Sequence, residues 1–542
     1  MLRLFRFLKP FTPFILFIIL LMSGQAVAEL YLPTLMSDIV NKGMINGDTG
    51  YIWAHGVYML LIALGSSICS ITGSFFSAKV GVGLGRDLRD MVFTRVESYS
   101  LHEFDKIGTS SLITRTTNDI TQVQTVLIMI LRFMIYSPIL CVGGIIMALS
   151  KDRVLTLILA VVLPLLVLVI AILAGAVMPV FTSIQKKLDT VNRVMRENLI
   201  GIRVIRAFNR LDTERQRFKD ANLDLTDTSI KANRMMAAMQ PVMMLFMNIT
   251  TVSIIWFAGL RINHNKMQLG DMMAFLQYAM QIMFSLIMVS IMYVMVPRAQ
   301  ASAVRINEVL DMEPEINDPA LAKKTSVLRG TVEFKDVTFS YPGAEQPALS
   351  NISFTTRPGE TTAIIGGTGS GKSTLISLIP RFYDIDSGSI TVNGVDVREL
   401  TQKDLRSKIG FVPQSAVLFT GSISDNIRYG KYDATEDEIK HASEVAQASE
   451  FISNMKEGYD SHISQGGTNV SGGQKQRLSI ARALVRKPEI YIFDDSFSAL
   501  DFKTDAKLRA ALKKETLDST VIIVAQRVST VMDADRILVL DE

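Results

Sequence analysis

Six apolar stretches, each long enough to cross a lipid bilayer, constrain the fold of this chain more than any other feature. They lie at about 14–37, 55–78, 124–149, 154–180, 237–260 and 272–296. A helix needs about 20 apolar residues to cross the hydrocarbon core, and within lipid the backbone must satisfy its own hydrogen bonds. The sequence therefore predicts six membrane-spanning helices. Several continue into polar, helix-compatible sequence, which indicates that they project beyond the bilayer.

The distribution of Lys and Arg predicts how these helices are oriented. The connection 183–236 carries twelve basic residues and the connection 79–123 carries several more, whereas the loops on the opposite side hold only five. Connections of up to about 60 residues that are rich in Lys and Arg stay on the cytoplasmic side of a membrane. Both long connections, the N-terminus and everything after residue 300 are therefore expected in the cytoplasm.

The first apolar stretch also resembles a secretory signal peptide. Basic residues precede it, and Ala26-Val27-Ala28 is similar to a cleavage site. Topology does not exclude this alternative, because the five remaining crossings would still end in the cytoplasm. The apolar sequence continues past Ala28, however, which favours a retained first helix.

The composition supports a membrane part joined to a soluble part. Of the 542 residues, 49% are hydrophobic, yet 20% are charged. The net charge of +4 is too small to indicate a nucleic-acid partner. The two cysteines, Cys69 and Cys141, lie in apolar stretches and offer neither a disulfide framework nor metal-ligand spacing.

Two features of the membrane part indicate a substrate cavity. Residues 235–295 hold 14 of the 28 methionines, and a Met-rich wall can repack around varied apolar ligands. Ordinary core or lipid-facing methionine is the alternative.

Four polar side chains at membrane depth are expected to line the cavity: Glu29, Arg132, Gln277 and Gln281. Arg132 extending to the cytoplasmic interface, and Glu29 lying near the outer headgroups, are the alternatives.

The second part of the chain has a different composition. Residues 301–330 form a polar, Pro-containing linker, and from residue 331 short β-rich runs alternate with helical patterns. This alternation predicts an α/β domain over residues 331–542.

The segment "GGTGSGKST" follows the apolar strand "TTAII" and fits the phosphate-binding P-loop. Its glycines let backbone N–H groups approach phosphate oxygens, and the next helix directs its positive end toward them. Lys372 should reach the β- and γ-phosphates, and Ser373 should bind Mg²⁺. The expected phosphate-binding residues are Gly366, Gly367, Thr368, Gly369, Ser370, Gly371, Lys372, Ser373 and Thr374.

The later segment "SGGQKQR" narrows this interpretation, because here the chain resembles the ATP-binding cassette family. The residues that carry the signature are Ser471, Gly472, Gly473 and Gln474, a second glycine-rich helix start. In that family the signature completes the nucleotide site of the other cassette in a head-to-tail dimer. The resemblance further implies that Tyr341 stacks on adenine, Gln414 and Asp494 hold Mg²⁺, and Asp501 closes a loop across the dimer.

The resemblance covers the whole chain. Residues 104–119 and 196–208 look like the intracellular coupling loops of exporter-type members, and six helices before one cassette is the half-transporter layout. The resemblance implies an all-α six-helix transmembrane domain (1–300), the linker (301–330) and an α/β P-loop cassette (331–542). Because the family usually continues beyond this point, it also implies that the cassette's C-terminal end is cut short at Glu542.

Two residues depart from the family pattern. Asp495 stands where the family usually has the Glu that polarises the attacking water, and Gln526 replaces the usual switch histidine. Asp is one methylene shorter than Glu, and Gln can neither carry charge nor relay a proton as His does.

The departures lead to a specific expectation about assembly. The chain is similar to the degenerate-site subunit of a heterodimeric multidrug-type exporter, which uses ATP and Mg²⁺ to move small amphipathic compounds across a bilayer. Its partner would be a second half-transporter with Glu and His at the two altered positions, and no nucleic acid is involved. The alternatives are a homodimeric exporter of lipid or peptide with slow ATPase activity, and an ATP-gated channel or regulatory subunit.

Overall fold

The computed structural model describes residues 1, 3–323, 329–527 and 531–541. Residues 324–328 of the expected linker and Glu542 lie outside the described residues. The chain forms two compact units, which are described separately below. One comprises Met1–Arg95 with Ser110–Asp311, and the other comprises Val96–Thr109 with Met312–Glu542.

The first unit confirms the prediction of six membrane helices. Among the described residues, six helices are long and apolar enough to cross a membrane. Residues 301–311 of the expected linker are helical, because the last of these helices runs to Asp311. In chain order the helices up to this point are α1 (Thr12–Asp38), α2 (Thr49–Glu97), α3 (Leu101–Ile107), α4 (Thr109–Thr114), α5 (Ile120–Lys151), α6 (Arg153–Ile200), α7 (Ile202–Ala207), α8 (Leu211–Asn263) and α9 (Leu269–Asp311). The six long ones are α1, α2, α5, α6, α8 and α9.

The ends of these helices contain irregular turns that the apolar pattern does not predict. A 3₁₀ helix, Leu4–Phe11, precedes α1, and π-helical stretches occupy Ile39–Met44 and Arg115–Asp119. One residue, Asp152, separates α5 from α6. Its side chain accepts hydrogen bonds from the backbone N–H groups of Val154 and Leu155, at 2.8 and 2.9 Å, and so caps α6.

Helices α1, α5 and α9 pack together as the centre of the membrane unit. Phe275 and Tyr278 of α9 are fully buried there. The Tyr278 hydroxyl bonds Thr34 of α1 at 2.7 Å, so the aromatic ring is buried while its polar end is satisfied. An ion pair of 2.8 Å between Lys151 and Asp271 joins the C-terminal end of α5 to the N-terminal end of α9.

The part of the second unit that the structure describes contains three sheets. Its strands are β1 (Val332–Phe339), β2 (Leu349–Thr356), β3 (Thr361–Gly366), β4 (Ser387–Val392), β5 (Val395–Asp396), β6 (Ile409–Val412), β7 (Gly421–Ser422), β8 (His462–Ile463), β9 (Ile490–Asp494), β10 (Thr520–Val524) and β11 (Arg536–Leu540). A parallel sheet has the order β11-β3-β10-β9-β6, an antiparallel sheet has the order β2-β1-β4-β5, and β7 pairs with β8.

Among the described residues after Met312, seven α-helices accompany these sheets. They are α10 (Lys372–Leu378), α11 (Gln402–Ser407), α12 (Ile423–Arg428), α13 (Glu436–Val445), α14 (Ser449–Ser453), α15 (Gly472–Leu484) and α16 (Phe502–Glu515). Strands β9 and β10 are buried along their whole length, as expected for the centre of a parallel sheet with both faces covered. The fold class predicted from the sequence is therefore confirmed.

Candidate nucleotide site

The topology of the parallel sheet brings the P-loop and Asp494 to the same edge. Strand β10 lies between β3 and β9, and Val524 pairs with Ile364 on one side and with Asp494 on the other. The P-loop follows β3 and Asp494 ends β9. Because the carboxyl ends of parallel strands meet at one edge, residues 366–374 and 494–495 become neighbours.

The glycines of the loop fit a phosphate group. Gly369 and Gly371 have φ values of 93° and 86°, which side-chain-bearing residues rarely adopt. A β-carbon at Gly371 would lie 2.8 Å from the Ala348 carbonyl oxygen. At Gly367 and Gly369 a β-carbon would meet nothing within 4 Å, so the backbone there is open to an approaching ligand.

Lys372 is held inside the loop by backbone carbonyl groups. Its ammonium donates to Gly366 O at 3.0 Å and also to Gly367 O. The residue is 9% exposed, so its charge is directed into the loop rather than toward bulk water. A cation in this position suits the β- and γ-phosphates of a nucleotide.

The proposed Mg²⁺ ligands are adjacent. Ser373 Oγ donates to Asp494 Oδ1 at 3.0 Å. Burial raises the pKa of Asp494, and the negative charge of Asp495 adds to the increase. The hydrogen bond from Ser373 and the positive charge of Lys372 oppose it, but the pKa still lies above its usual value. A divalent cation would favour the ionised form, and Mg²⁺ bound there supplies charge neutralisation for the phosphates.

Asp495 and Gln414 lie next to this pair. Gln414 Nε2 donates to Asp495 Oδ2 at 3.4 Å, and Asp495 is 9% exposed. Asp495 also has a left-handed backbone, with φ of 42°. Gln526 follows β10 by two residues and is exposed.

Tyr341 contributes an aromatic face beside the loop. Its hydroxyl lies 2.9 Å from Thr374 Oγ1, and its ring meets Tyr383 edge to face at 5.4 Å between centroids. The ring borders a cavity of about 450 Å³, whose lining also includes Phe339, Gly343 and Ala344. None of the P-loop residues 366–374 lines this cavity. The exposed part of the Tyr341 ring can stack on a base.

The signature residues begin α15 and are capped by one another. Ser471 N donates to Gln474 Oε1 at 2.8 Å, and Gln474 N donates to Ser471 Oγ at 3.3 Å, a capping box. Ser471 and Gly472 are exposed. A β-carbon at Gly473 would lie 3.1 Å from Ala499 O. Within the described part of the chain, the Ser471 and Gln474 side chains bond only inside this cap.

Asp501 caps the next helix, α16. Its side chain accepts from the backbone N–H groups of Lys503 and Thr504 at 3.1 and 3.0 Å. Hydrogen bonds from the Thr504 backbone and side chain lower the pKa of Asp501, so its exposed carboxyl stays ionised at neutral pH.

Two of the four expected cavity residues are brought together in the membrane unit. Gln281 Nε2 donates to the backbone carbonyl of Glu29 at 3.1 Å. Gln277 is exposed, and the Arg132 guanidinium lies 5.3 Å from the centre of the Phe133 ring. No hydrogen bond joins Arg132 or Gln277 to Glu29 among the described residues.

Sequence reasoning missed three contacts at these sites: Thr374 with Tyr341, Tyr136 with Glu29, and Glu103 with Glu315. Glu103 Oε1 accepts from the Glu315 backbone N–H at 3.1 Å, which joins α3 to the segment after α9. The partners are far apart in the chain, and no local pattern indicates them. The one available signal was Ser100 followed by Glu103, a capping-box spacing.

Comparison with known proteins agrees with this geometry. The family model for the ABC transporter transmembrane region matches residues 14–286, and the ABC transporter model matches residues 349–498. The chain therefore belongs to the ABC transporter family. It has the exporter arrangement of a transmembrane domain followed by an ATP-binding domain, and it is an ATP-hydrolysing, multi-pass membrane protein whose ATP-binding domain is cytoplasmic.

Individual relatives extend over nearly the whole chain. An uncharacterized ABC transporter ATP-binding protein of Mycobacterium tuberculosis (strain CDC 1551 / Oshkosh) is 42% identical over 98% of this chain and 92% of its own length. An ATP-dependent lipid A-core flippase of Desulfotalea psychrophila is 32% identical over 97% of this chain and 91% of its own. In fold, the chain is similar to a bacterial Atm1-family ABC exporter solved with ATP bound. The TM-score is 0.79 at 24% identity, covering 98% of this chain and 94% of that one.

Proposed function

We propose that this chain is the hydrolysis-impaired half of a heterodimeric ABC exporter for small amphipathic compounds. The observation that carries the proposal is the position of Asp495. It follows the proposed Mg²⁺ ligand Asp494 and is nearly buried beside Gln414, where an acid would act on the attacking water. Its carboxylate ends one methylene short of where a Glu carboxylate would reach, and a misplacement of about 1 Å can slow a reaction on the order of 10²-fold.

Gln526 supports the same proposal. It lies just after β10, whose last residue, Val524, pairs with Asp494. A neutral amide there can hydrogen-bond a γ-phosphate, but it supplies no positive charge and relays no proton. With both residues altered, the site would retain ATP and Mg²⁺ through Tyr341, the P-loop, Gln414 and Asp494, and would hydrolyse ATP slowly.

The exposed signature motif supports a second subunit. Ser471 and Gly472 lie on the surface at the N-terminus of α15, a helix of 13 residues. Helix N-termini favour phosphate, and Asp501 is also exposed. In this proposal the signature residues complete the competent site of the partner, while the partner's signature covers the P-loop of this chain.

The loop around α7 gives an independent argument for a partner. Four large apolar side chains there are strongly exposed: Leu199 at 67%, Ile200 at 80%, Val204 at 60% and Phe208 at 73%. Clustered exposed apolar residues on a cytoplasmic loop mark an interaction surface. We propose that this surface contacts the second half-transporter.

The Met-rich helices support an amphipathic substrate. Met243 and Met283 are buried against each other's helices, whereas Met244 and Met280 are exposed at 61% and 44%. Flexible thioether side chains can adapt to ligands of varied shape. The substrate class proposed here is therefore small amphipathic or hydrophobic molecules.

The test is ATPase activity in lipid nanodiscs. The chain is purified alone and, in a parallel preparation, with a half-transporter that carries Glu and His at the two altered positions. We expect little turnover alone and substantial turnover from the pair. In the pair, Lys→Ala in the partner's P-loop should abolish turnover, whereas Lys372→Ala should only reduce it. Turnover by the isolated chain equal to that of the pair would overturn the heterodimer.

A homodimeric lipid exporter is the second candidate. It is favoured by relatives described as ATP-dependent lipid A-core flippases, which are 29% to 33% identical to this chain over 90% or more of its length. Robust ATPase activity of the isolated chain, stimulated by lipid rather than by amphipathic dyes, would favour this candidate.

A further inference from the structure

A cluster of polar side chains surrounds Glu29 at the centre of the membrane unit. Gln25 Nε2 donates to Glu29 Oε1 at 2.9 Å, the Tyr136 hydroxyl donates to Glu29 Oε2, and Gln281 Nε2 donates to the Glu29 carbonyl. These four residues come from α1, α5 and α9 and are here called the Glu29 cluster. All four side chains are partly exposed.

The Glu29 cluster lies within the hydrocarbon region. Ser37 of α1 donates to Asp271 at 2.8 Å, and Lys151 pairs with the same carboxylate. Because the ATP-binding domain is cytoplasmic, this polar layer marks the outer ends of the helices. Glu29 precedes Ser37 by eight residues in a continuous helix, so it lies about 12 Å further into the membrane. A carboxylate at that depth usually serves a substrate or ion pathway.

The Glu29 cluster has more hydrogen-bond acceptors than donors. A carboxylate offers about four lone-pair sites, and the two donors described above use two of them. Gln281 Oε1 is fully buried and has no hydrogen-bond partner among the described residues. The excess of acceptors complements a group that brings several N–H donors and a positive charge.

An apolar neighbour is available for the rest of such a molecule. Phe284 follows Gln281 by three residues on α9, which places both side chains on one face of the helix. Phe284 is 54% exposed. A molecule with a cationic end at Glu29 can therefore place an apolar body along the Met-rich part of α9.

We infer that the Glu29 cluster binds the protonated primary amine of an amphipathic substrate. This inference rests on the proposed export function and makes its substrate class more specific. A primary ammonium offers three N–H donors, which complement the unfilled lone pairs of the Glu29 carboxylate. A quaternary ammonium has the charge without the donors, and an amide has a donor without the charge.

The inference is tested with three dansyl probes that share one alkyl chain and end in a primary amine, a trimethylammonium or an N-acetylated amine. Binding to the full chain in nanodiscs is measured by fluorescence titration. The primary amine should bind most tightly. Glu29→Gln should weaken its binding by roughly tenfold or more while changing the N-acetyl probe little.

Tyr136→Phe provides a second variant with the opposite expectation. It removes one donor from the Glu29 carboxylate and frees a lone pair, so the amine should bind more tightly. Glu97→Gln, an exposed position at the end of α2, is the matched charge control and should change nothing. Amine binding that Glu29→Gln leaves unaltered, or equal weakening of all three probes, would overturn the subsite.

ATP-dependent transport of the N-acetyl probe separates this inference from the proposed function. If wild-type protein, with its partner, transports that probe and shows no preference for the amine, the subsite fails and export stands. If it transports none of the probes, the export proposal fails, whatever the binding titrations show.

Discussion

The Ser373 hydroxyl donates a hydrogen bond of 3.0 Å to the Asp494 carboxylate. The two residues are 121 positions apart in the chain, and the contact joins the start of α10 to the end of β9. It places both proposed Mg²⁺ ligands within reach of one cation. Asp495 follows Asp494 directly in the chain. The chemistry of the site therefore depends on how far the Asp495 side chain extends from this fixed pair.

Restoring the two altered residues should restore hydrolysis in this chain's own site. For the double variant Asp495→Glu with Gln526→His, we expect ATPase activity to rise on the order of 10²-fold, because the longer acid reaches the attacking water. The measurement is phosphate release by the proposed heterodimer in nanodiscs, with the partner's own site inactivated by Lys→Ala in its P-loop. Asp495→Asn with Gln526→His is the control and should stay slow. A double variant no faster than the parent would contradict the assigned roles of the two positions.

Nucleotide binding and hydrolysis should respond to different variants. Lys372→Ala removes the cation inside the loop and should reduce labelling of this chain's own site by a photoreactive ATP analogue. Ser471→Ala should leave that labelling intact and slow hydrolysis at the partner's site. Both effects are measured on the proposed heterodimer, with each subunit separated after labelling. Equal loss of labelling in both sites from either variant would argue against a head-to-tail arrangement.

Tyr341 should contribute to ATP affinity through its ring rather than its hydroxyl. Stacking on a base contributes about 1–3 kcal/mol, so Tyr341→Ala should weaken ATP binding by roughly ten- to a hundredfold. Tyr341→Phe loses only the contact with Thr374 and should stay within several-fold of the parent. Isothermal titration with ATP distinguishes the two. If Phe were as damaging as Ala, the hydroxyl would be the important group.

Glu103 should stabilise the second unit in a pH-dependent way. Its carboxylate accepts from Ser100 N and Oγ at 2.7 and 2.5 Å and from Glu315 N at 3.1 Å. Burial alone would raise the pKa of Glu103, but these hydrogen bonds outweigh it and leave the pKa below its usual value of 4.5. A carboxyl whose pKa is lowered in the folded state stabilises the protein above the unfolded pKa and loses that contribution as the pH falls through the folded value.

Glu103→Gln should therefore lower the free energy of unfolding by about 1 kcal/mol at pH 7. The difference from the parent should shrink only below pH 4.5, where the parent carboxyl also becomes protonated. Thermal unfolding of the full chain in nanodiscs, from pH 7 to below pH 4.5, measures this difference between parent and variant. A difference that stayed constant with pH would mean that Glu103 acts through packing instead.

The features that depend on one short continuous segment were predictable from the sequence. Apolar length gave the six membrane helices, and the P-loop spacing after a β-rich run placed Lys372 and Ser373 at the edge of a parallel sheet. Asp494 was predictable as the end of an apolar strand. In each case a short segment contains the whole physical requirement.

The remaining features depend on contacts between distant segments. Glu29 was recognisable as an acid in an apolar helix, but its partner Tyr136 lies 107 positions away. The π-helical turn at Arg115–Asp119 and the attachment of α3 through Glu315 likewise depend on neighbours in three dimensions. The sequence indicated the kind of environment around such residues, but not which residues contact them.

The left-handed backbone at Asp495 affects which acid fits this position best. Asp is enriched several-fold over most residues in that conformation, because its short side chain can hydrogen-bond locally. Glu has less of this advantage, so Asp495→Glu at a φ of 42° should lower folding stability while it lengthens the acid. At this position the backbone conformation and the reach of the carboxylate therefore favour different side chains.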